Sequence, residues 1–313
     1  MDRPLDVIAI LGLSYCGSTL LNLMLDSHPD IRGVGEIWTL VTPDSGLSTT
    51  CANCGEACPR FTPERRRALE RTNFYPDIAG FFPTDVLADS SKTLEWYAQS
   101  TRFPSRRPIR FTPVLVVKHP IRQLLSFMLH LDLSGRNRIT PWAWLYRATG
   151  GAVPRGRNER RPLPQRLARA ALFSKLLYWY LWRNSERFRR EIPEVFGGAP
   201  LTIRYEDLVA APDKTLRPLL ERLGLAYDPA MADCYAHVHH QIGGNSGTLC
   251  QLTGQRAEVE AGHPCNKQYY GSIKNITRDD RYLDFFSDEE LRRLENNDLV
   301  KRLCDAYGYA VTP

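Results

Sequence analysis

No apolar run in the sequence reaches the roughly 18 residues that a membrane-spanning helix needs. The first aliphatic stretch, residues 5–13, is entered through Asp2, Arg3 and Asp6 and left through a glycine loop, which is not the build of a secretory leader. Internal repeats are absent, and so is any recognised nucleic-acid-binding module, which argues against a nucleic-acid partner. Five of the eight cysteines (Cys16, Cys234, Cys250, Cys265, Cys304) stand apart from one another, so the sequence lacks the spacing of a disulfide frame. It needs none, because 313 residues with 43% hydrophobic side chains can bury an ample core. Mostly reduced thiols and a cytoplasmic, soluble chain are expected. Net charge is small at +6, yet basic residues crowd into 102–110 and 136–190, a bias that suits an anionic ligand, a nucleic acid or an acidic surface, or else a solvated arginine-rich face.

The pattern that is present alternates strands with helices. Residues 6–11 form a short aliphatic run ending at Gly12, and 18–27 then carry Leu20, Leu21, Met24 and Leu25 at helical spacing. Residues 86–88 read as a strand entering Asp89-Ser90-Ser91-Lys92, followed by a helix over 93–100. PVLVV at 113–117 reads as a strand buried on both faces, with a helix over 121–131 after Pro120. Residues 201–203 and 213–223 add another strand and helix. The alternation predicts an α/β fold, a three-layer α/β/α arrangement about a central parallel sheet with phosphate-loop-like nucleotide-binding architecture, in a single domain over 1–313. Two regions depart from the rhythm: a cysteine-bearing loop at about 45–62 and a basic, aromatic excursion at about 134–190 with Trp142, Trp144 and Tyr146. Its second half, 163–190, reads as one long helix with Leu176, Leu177, Tyr180 and Leu181 inward. Residues 287–307 read as a further helix, opened by a capping box of Ser287 and Glu290.

The stretch GLSYCGST, 12–19, follows the first strand and places Gly12, Gly17, Ser18 and Thr19 where a loop wraps a phosphate. Backbone N–H groups and a helix N-terminus there supply fixed positive potential. The spacing matches the triphosphate-binding loop G-x-x-x-x-G-K-[ST] except that Ser18 occupies the lysine position. That lysine serves the β and γ phosphates, so its absence argues against a kinase or ATPase.

At this point the chain resembles the family of sulfotransferases that use 3′-phosphoadenosine 5′-phosphosulfate (PAPS), in particular its bacterial and protein-tyrosine branches. The resemblance runs from Leu5 to about Tyr307 and is weakest over 134–200. Tyr15, Cys16, Gly17, Ser18, Thr19 and Leu20 match the family loop that binds the 5′-phosphosulfate. Leu25-Asp26-Ser27-His28-Pro29 and Gly35-Glu36-Ile37 match its L-D-x-H-P and G-E stretches. Lys118-His119-Pro120-Ile121-Arg122, with Ser126 eight residues after Lys118, matches the pair that holds the 3′-phosphate. Tyr205, in Arg204-Tyr205-Glu206-Asp207-Leu208, matches the tyrosine brought to adenine. Gly243-Gly244-Asn245 and the stretch 277–282 match the segment that closes over the nucleotide, where Lys274 or Arg278 adds a 3′-phosphate contact.

The resemblance further implies Glu36 as the base that deprotonates the acceptor, with His28, His119 and His130 as alternatives, and Lys92 as the cation at the departing nucleotide. The chain departs from the family at Tyr15, where a second cation is usual. The implied reaction moves a sulfuryl group from PAPS to a hydroxyl on a small molecule, glycan, lipid or peptide, releasing 3′-phosphoadenosine 5′-phosphate (PAP) without a metal. A catalytically silent nucleotide-binding protein of the same fold and a kinase-like phosphotransferase are the alternatives. Cys51, Cys54 and Cys58, in the spacing C-x-x-C-x-x-x-C, leave three readings open: zinc with a distant fourth ligand, a disulfide, or free thiols.

Overall fold

The computed structural model describes residues 3–42, 49–135, 148–149, 162–249, 252, 280 and 282–313. Five strands form its sheet: β1 (Leu5–Gly12), β2 (Ile31–Gly35), β3 (Val86–Lys92), β4 (Ile109–Val117) and β5 (Leu201–Arg204). Their order is β2-β3-β1-β4-β5, all parallel and flanked by helices, as the alternation of strand and helix requires. β1 lies in the middle and every one of its residues is buried, which is why its sequence is aliphatic throughout.

The chain divides into two units. One comprises Met1–Val116, Arg190–Ile203 and Asp207–Ile276; the other comprises Val117–Arg189, Arg204–Glu206 and Thr277–Pro313. Within the first, β1 leads through the glycine loop into the Ser18–Asp26 helix, where Leu20, Leu21, Leu23, Met24 and Leu25 are buried as their spacing predicts. Part of the basic cluster at 102–110 is structural: Arg107 pairs with Asp85 at 2.7 Å and Arg110 with Asp6 at 2.5 Å.

Several elements differ from the sequence expectation. β3 continues four residues past Ala88 because Asp89, Ser90 and Ser91 are buried despite their polarity. β2, with the sequence IRGVG, was not expected at all. The helix expected over 163–190 comprises Leu163–Lys175, a π-helical stretch Leu176–Trp182 and Arg183–Phe196. In it Leu176, Leu177 and Leu181 are buried while Tyr178, Trp179 and Tyr180 are exposed. The helix expected over 287–307 is two, Asp288–Glu295 and Asp298–Tyr307. Ser287 and Glu290 form the expected capping box on the first, and Asn297 accepts from the N–H of Leu299 to start the second. Trp142, Trp144, Tyr146, Cys250, Cys265, Lys274 and Arg278 lie outside the described residues, as does the side chain of His130. Among the described residues no helix is long and apolar enough to cross a membrane.

Candidate active site

In a parallel sheet, ligands bind beyond the carboxyl ends of the strands, where the order reverses. β1 is such a place, with β3 on one side and β4 on the other; its register pairs Leu11 with Lys92 and Gly12 with Val116. Gly12, Lys92 and the loop after Gly12 therefore share one end of the sheet.

The loop is shaped by its own packing. A side chain at Gly12 would run into Cys16 Sγ and the Val116 carbonyl oxygen at 2.6 and 2.7 Å. Cys16 is buried against this turn and burial pushes its thiol pKa up, with the charge of Lys92 pulling the other way. Cys16 thus helps to pack the turn. Tyr15 takes the left-handed conformation at φ 67°, and Gly17 at φ 105°. No side chain caps the helix that starts after Gly17, a build that suits an anion at its N-terminus. Thr19 is buried and its hydroxyl accepts from the backbone N–H of Asn245 at 2.9 Å, which fastens the Gly243-Gly244-Asn245 segment to this helix.

Glu36 and Lys92 meet. The ammonium of Lys92 donates to Glu36 Oε1, and both side chains are mostly shielded, at 18% and 15% exposure. Each is delivered by an unusual backbone. Gly35, at φ 77°, approaches Ile242 so closely that a β-carbon there would lie 2.2 Å from its carbonyl oxygen; that same oxygen accepts the Glu36 N–H at 2.6 Å. Lys92 sits at φ 67°, a costly conformation for a non-glycine residue.

The carboxylate of Asp89 fixes the turn that leads to Lys92. It is fully buried and accepts from the Ser91 N–H, Tyr75 hydroxyl and Trp96 indole, each at 2.9 Å, and from the Ser91 hydroxyl at 2.5 Å. The Ser91 hydroxyl in turn accepts from the Trp38 N–H at 3.3 Å, joining the Lys92 turn to the Glu36 turn.

Desolvation raises the Asp89 pKa to about 6 despite these four donors. The folded chain therefore holds this proton more tightly than the unfolded one. The associated stability is present below the ordinary carboxylate value of about 4 and is lost as pH rises through about 6, by about 3 kcal/mol in all. Denaturant unfolding of the parent and Asp89→Asn across this range should show the parent's advantage over the variant shrinking as pH rises. An advantage independent of pH would exclude the shifted titration.

In the second unit Lys118, Ser126 and Tyr205 come together. Lys118 Nζ donates to Ser126 Oγ at 3.1 Å and lies 5.0 Å from the ring centroid of Tyr205. The helix starts at Pro120, two residues after Lys118, so Ser126 lies less than two turns along it and within reach of the long lysine side chain. Arg122, in the same motif, is buried, pairs with Asp280 at 2.7 Å and lies 5.1 Å from the Tyr282 ring. Of the alternative histidines, His28 and His119 are both tied to the backbone. The imidazole of His28 bonds the Ala226 carbonyl at 2.9 Å and accepts from the Asp30 N–H at 3.1 Å. That of His119 bonds the Ala310 carbonyl at 2.9 Å and accepts from the Ile121 N–H at 3.3 Å.

The sequence reading missed His240, whose Nδ1 lies 3.4 Å from Cys54 Sγ and 3.5 Å from Cys58 Sγ. The only trace of it in the sequence is the His239-His240 pair, 182 residues beyond Cys58.

No protein-family model matches the chain, and no curated protein sequence does either. Among solved structures, the chain is similar to the sulfotransferase domain from the curacin biosynthetic pathway, at 14% identity over 98% of this chain and 99% of that one, with a TM-score of 0.47. It is likewise similar to the sulfotransferase domain of the Synechococcus PCC 7002 olefin synthase, at 16% identity over 99% and 97% of the two chains, TM-score 0.43. A third is mouse sulfotransferase SULT7A1 complexed with PAP, at 14% identity over 97% and 90%, TM-score 0.38. Identities this low carry no chemistry, which has to come from the residues of the site itself.

Proposed function

We propose that this chain is a sulfotransferase that takes PAPS as donor and a hydroxyl-bearing small molecule, glycan, lipid or peptide as acceptor. The observation that carries the reading is the meeting of Lys118, Ser126 and Tyr205. A cation, a hydroxyl and an aromatic face at one place suit a phosphorylated ribose with its base, since the ring offers the purine a flat apolar partner. Nucleoside triphosphates carry nothing on the 3′ oxygen for Lys118 and Ser126 to hold, and Ser18 withholds the lysine that a triphosphate needs. In the other unit, taken by itself, the glycine loop and the uncapped start of the Ser18–Asp26 helix offer N–H donors suited to a phosphate or sulfate group.

The Glu36 and Lys92 pair supplies the chemistry. Glu36 takes the proton from the acceptor hydroxyl as its oxygen bonds to sulfur. Lys92 gives a hydrogen bond to the bridging oxygen as the old sulfur–oxygen bond breaks and PAP departs. The loop's second cation is replaced by Tyr15, which favours a second reading, a nucleotide-binding protein without transfer activity.

Calorimetric titration with PAP and with adenosine 5′-monophosphate tests the donor. Charge-assisted hydrogen bonds to one phosphate should favour PAP by about 100-fold, and Lys118→Ala should cut that preference to about tenfold or less. Equal affinity for the two nucleotides would sink the reading. Incubation with radiolabelled PAPS and a panel of hydroxyl acceptors then separates enzyme from silent binder: PAP binding with no labelled product from any acceptor favours the second reading.

A further inference from the structure

Cys51, Cys54, Cys58 and His240 point their three sulfurs and one ring nitrogen at one another, with all four atoms within 4.8 Å. We propose that they bind one zinc ion in a closed structural Cys3His site, unrelated to the sulfuryl chemistry. The geometry favours metal over the other states of these cysteines. Zinc held tetrahedrally at about 2.3 Å from sulfur and 2.0–2.1 Å from nitrogen sets sulfur and nitrogen ligands about 3.5 Å apart. The separations from His240 Nδ1 are 3.4 Å to Cys54 Sγ and 3.5 Å to Cys58 Sγ. A disulfide brings two sulfurs to about 2.0 Å and leaves the third thiol and the imidazole without a role. All three cysteines are unbridged here.

The surrounding backbone has the build of a metal knuckle. Gly55 follows C-x-x-C at φ 61°, which lets the chain turn back, and its N–H donates to the Cys51 carbonyl at 2.9 Å. The Phe61 N–H donates to Cys58 Sγ at 3.4 Å, a bond that suits a thiolate. Neighbouring His239 is otherwise engaged, with its ring nitrogens 2.6 Å from Asp26 Oδ2 and from the Cys234 carbonyl oxygen, so of the two adjacent histidines it is His240 that faces the three sulfurs as fourth ligand. Four protein ligands complete the tetrahedron and leave no open position, as in structural rather than catalytic zinc centres. The site staples the cysteine loop to residues 239–242. The same two segments are joined by the Ala52 N–H to the Gln241 carbonyl at 2.8 Å and the Asn53 side chain to the His239 carbonyl at 2.7 Å.

Elemental analysis of the chain purified under reducing conditions without chelator should find about one zinc per chain. Cys54→Ser and His240→Ala should lose it, while His240→Cys, which restores four ligands, should retain it. If the first two variants fail to fold, cobalt(II) titration of the metal-stripped parent keeps the question open to test. It should give the intense visible bands of tetrahedral cobalt–thiolate, and one equivalent of zinc should abolish them. Parent protein without zinc that carries a disulfide among the three cysteines, or three reactive thiols, overturns the proposal. So does an iron–sulfur chromophore, or zinc content unchanged in both ligand-removing variants.

Discussion

Turnover of the Lys92→Met variant is expected to fall by about 10²- to 10³-fold, while its affinity for PAP stays within about threefold of the parent's. The separation of the two effects follows from where Lys92 stands. It closes β3 at φ 67°, and its ammonium is bonded to Glu36. The groups proposed to hold the 3′-phosphate, Lys118 and Ser126, belong to another part of the chain. Methionine keeps the length and most of the volume of lysine and removes only the charge and the donors. Since Tyr15 provides no second cation in the loop, loss of Lys92 removes the one charged donor proposed for the departing oxygen. A transfer rate within about threefold of the parent would exclude Lys92 from the leaving-group role.

Glu36→Gln should lower turnover by about 10²- to 10⁴-fold, the usual range for loss of a positioned general base. Glutamine preserves the shape of the Gly35 turn and still offers Lys92 an oxygen, so the cost falls on proton transfer and not on architecture. Acceptors of lower pKa provide an internal check: a hydroxyl that is already partly ionised needs less help from a base. The deficit of the variant should therefore shrink from alcohols to acidic phenols. A deficit that is constant across such a series, or a rate close to the parent's, would assign the proton to another group. His28 and His119 are poor substitutes, because in each one ring nitrogen bonds a backbone carbonyl and the other accepts a backbone N–H.

Much of the architecture was legible because the sheet is parallel and buried on both faces. The aliphatic runs of β1 and of Val114–Val117 within β4 can be little else, and the glycine loop between β1 and its helix follows from Gly12 and Gly17. β2 was hidden because two of its five residues are glycine and one is arginine, and its glycines answer close approach by the backbone, not strand propensity. β3 was read short because Asp89, Ser90 and Ser91 look like a turn; two of the four donors that satisfy the buried Asp89 carboxylate come from Tyr75 and Trp96, partners that no local pattern reveals. The helix over 163–190 was legible and only read short, since helical backbone runs unbroken through a π-helical stretch at 176–182 to Phe196, whereas the one over 287–307 was over-read because periodicity carries across the break at Asn296-Asn297. At the site, Glu36 with Lys92 and Lys118 with Ser126 and Tyr205 were each named from ordered motifs. That Glu36 and Lys92 are partners of one another depends on strand register, and the place of His240 depends on tertiary return; neither is a property of sequence spacing.

One consequence concerns solubility. β2 is an outer strand of the sheet, and an outer strand with open N–H and carbonyl groups invites another chain to pair with it. Here Ile242 occupies that margin: its N–H donates to the Val34 carbonyl at 3.0 Å, its carbonyl accepts the Glu36 N–H, and Cys51 bridges it from the far side. The segment that seats the candidate base therefore also blunts the sheet against self-association. Loosening it would expose the open edge of β2 as a template for aggregation together with Ile242, which is buried here.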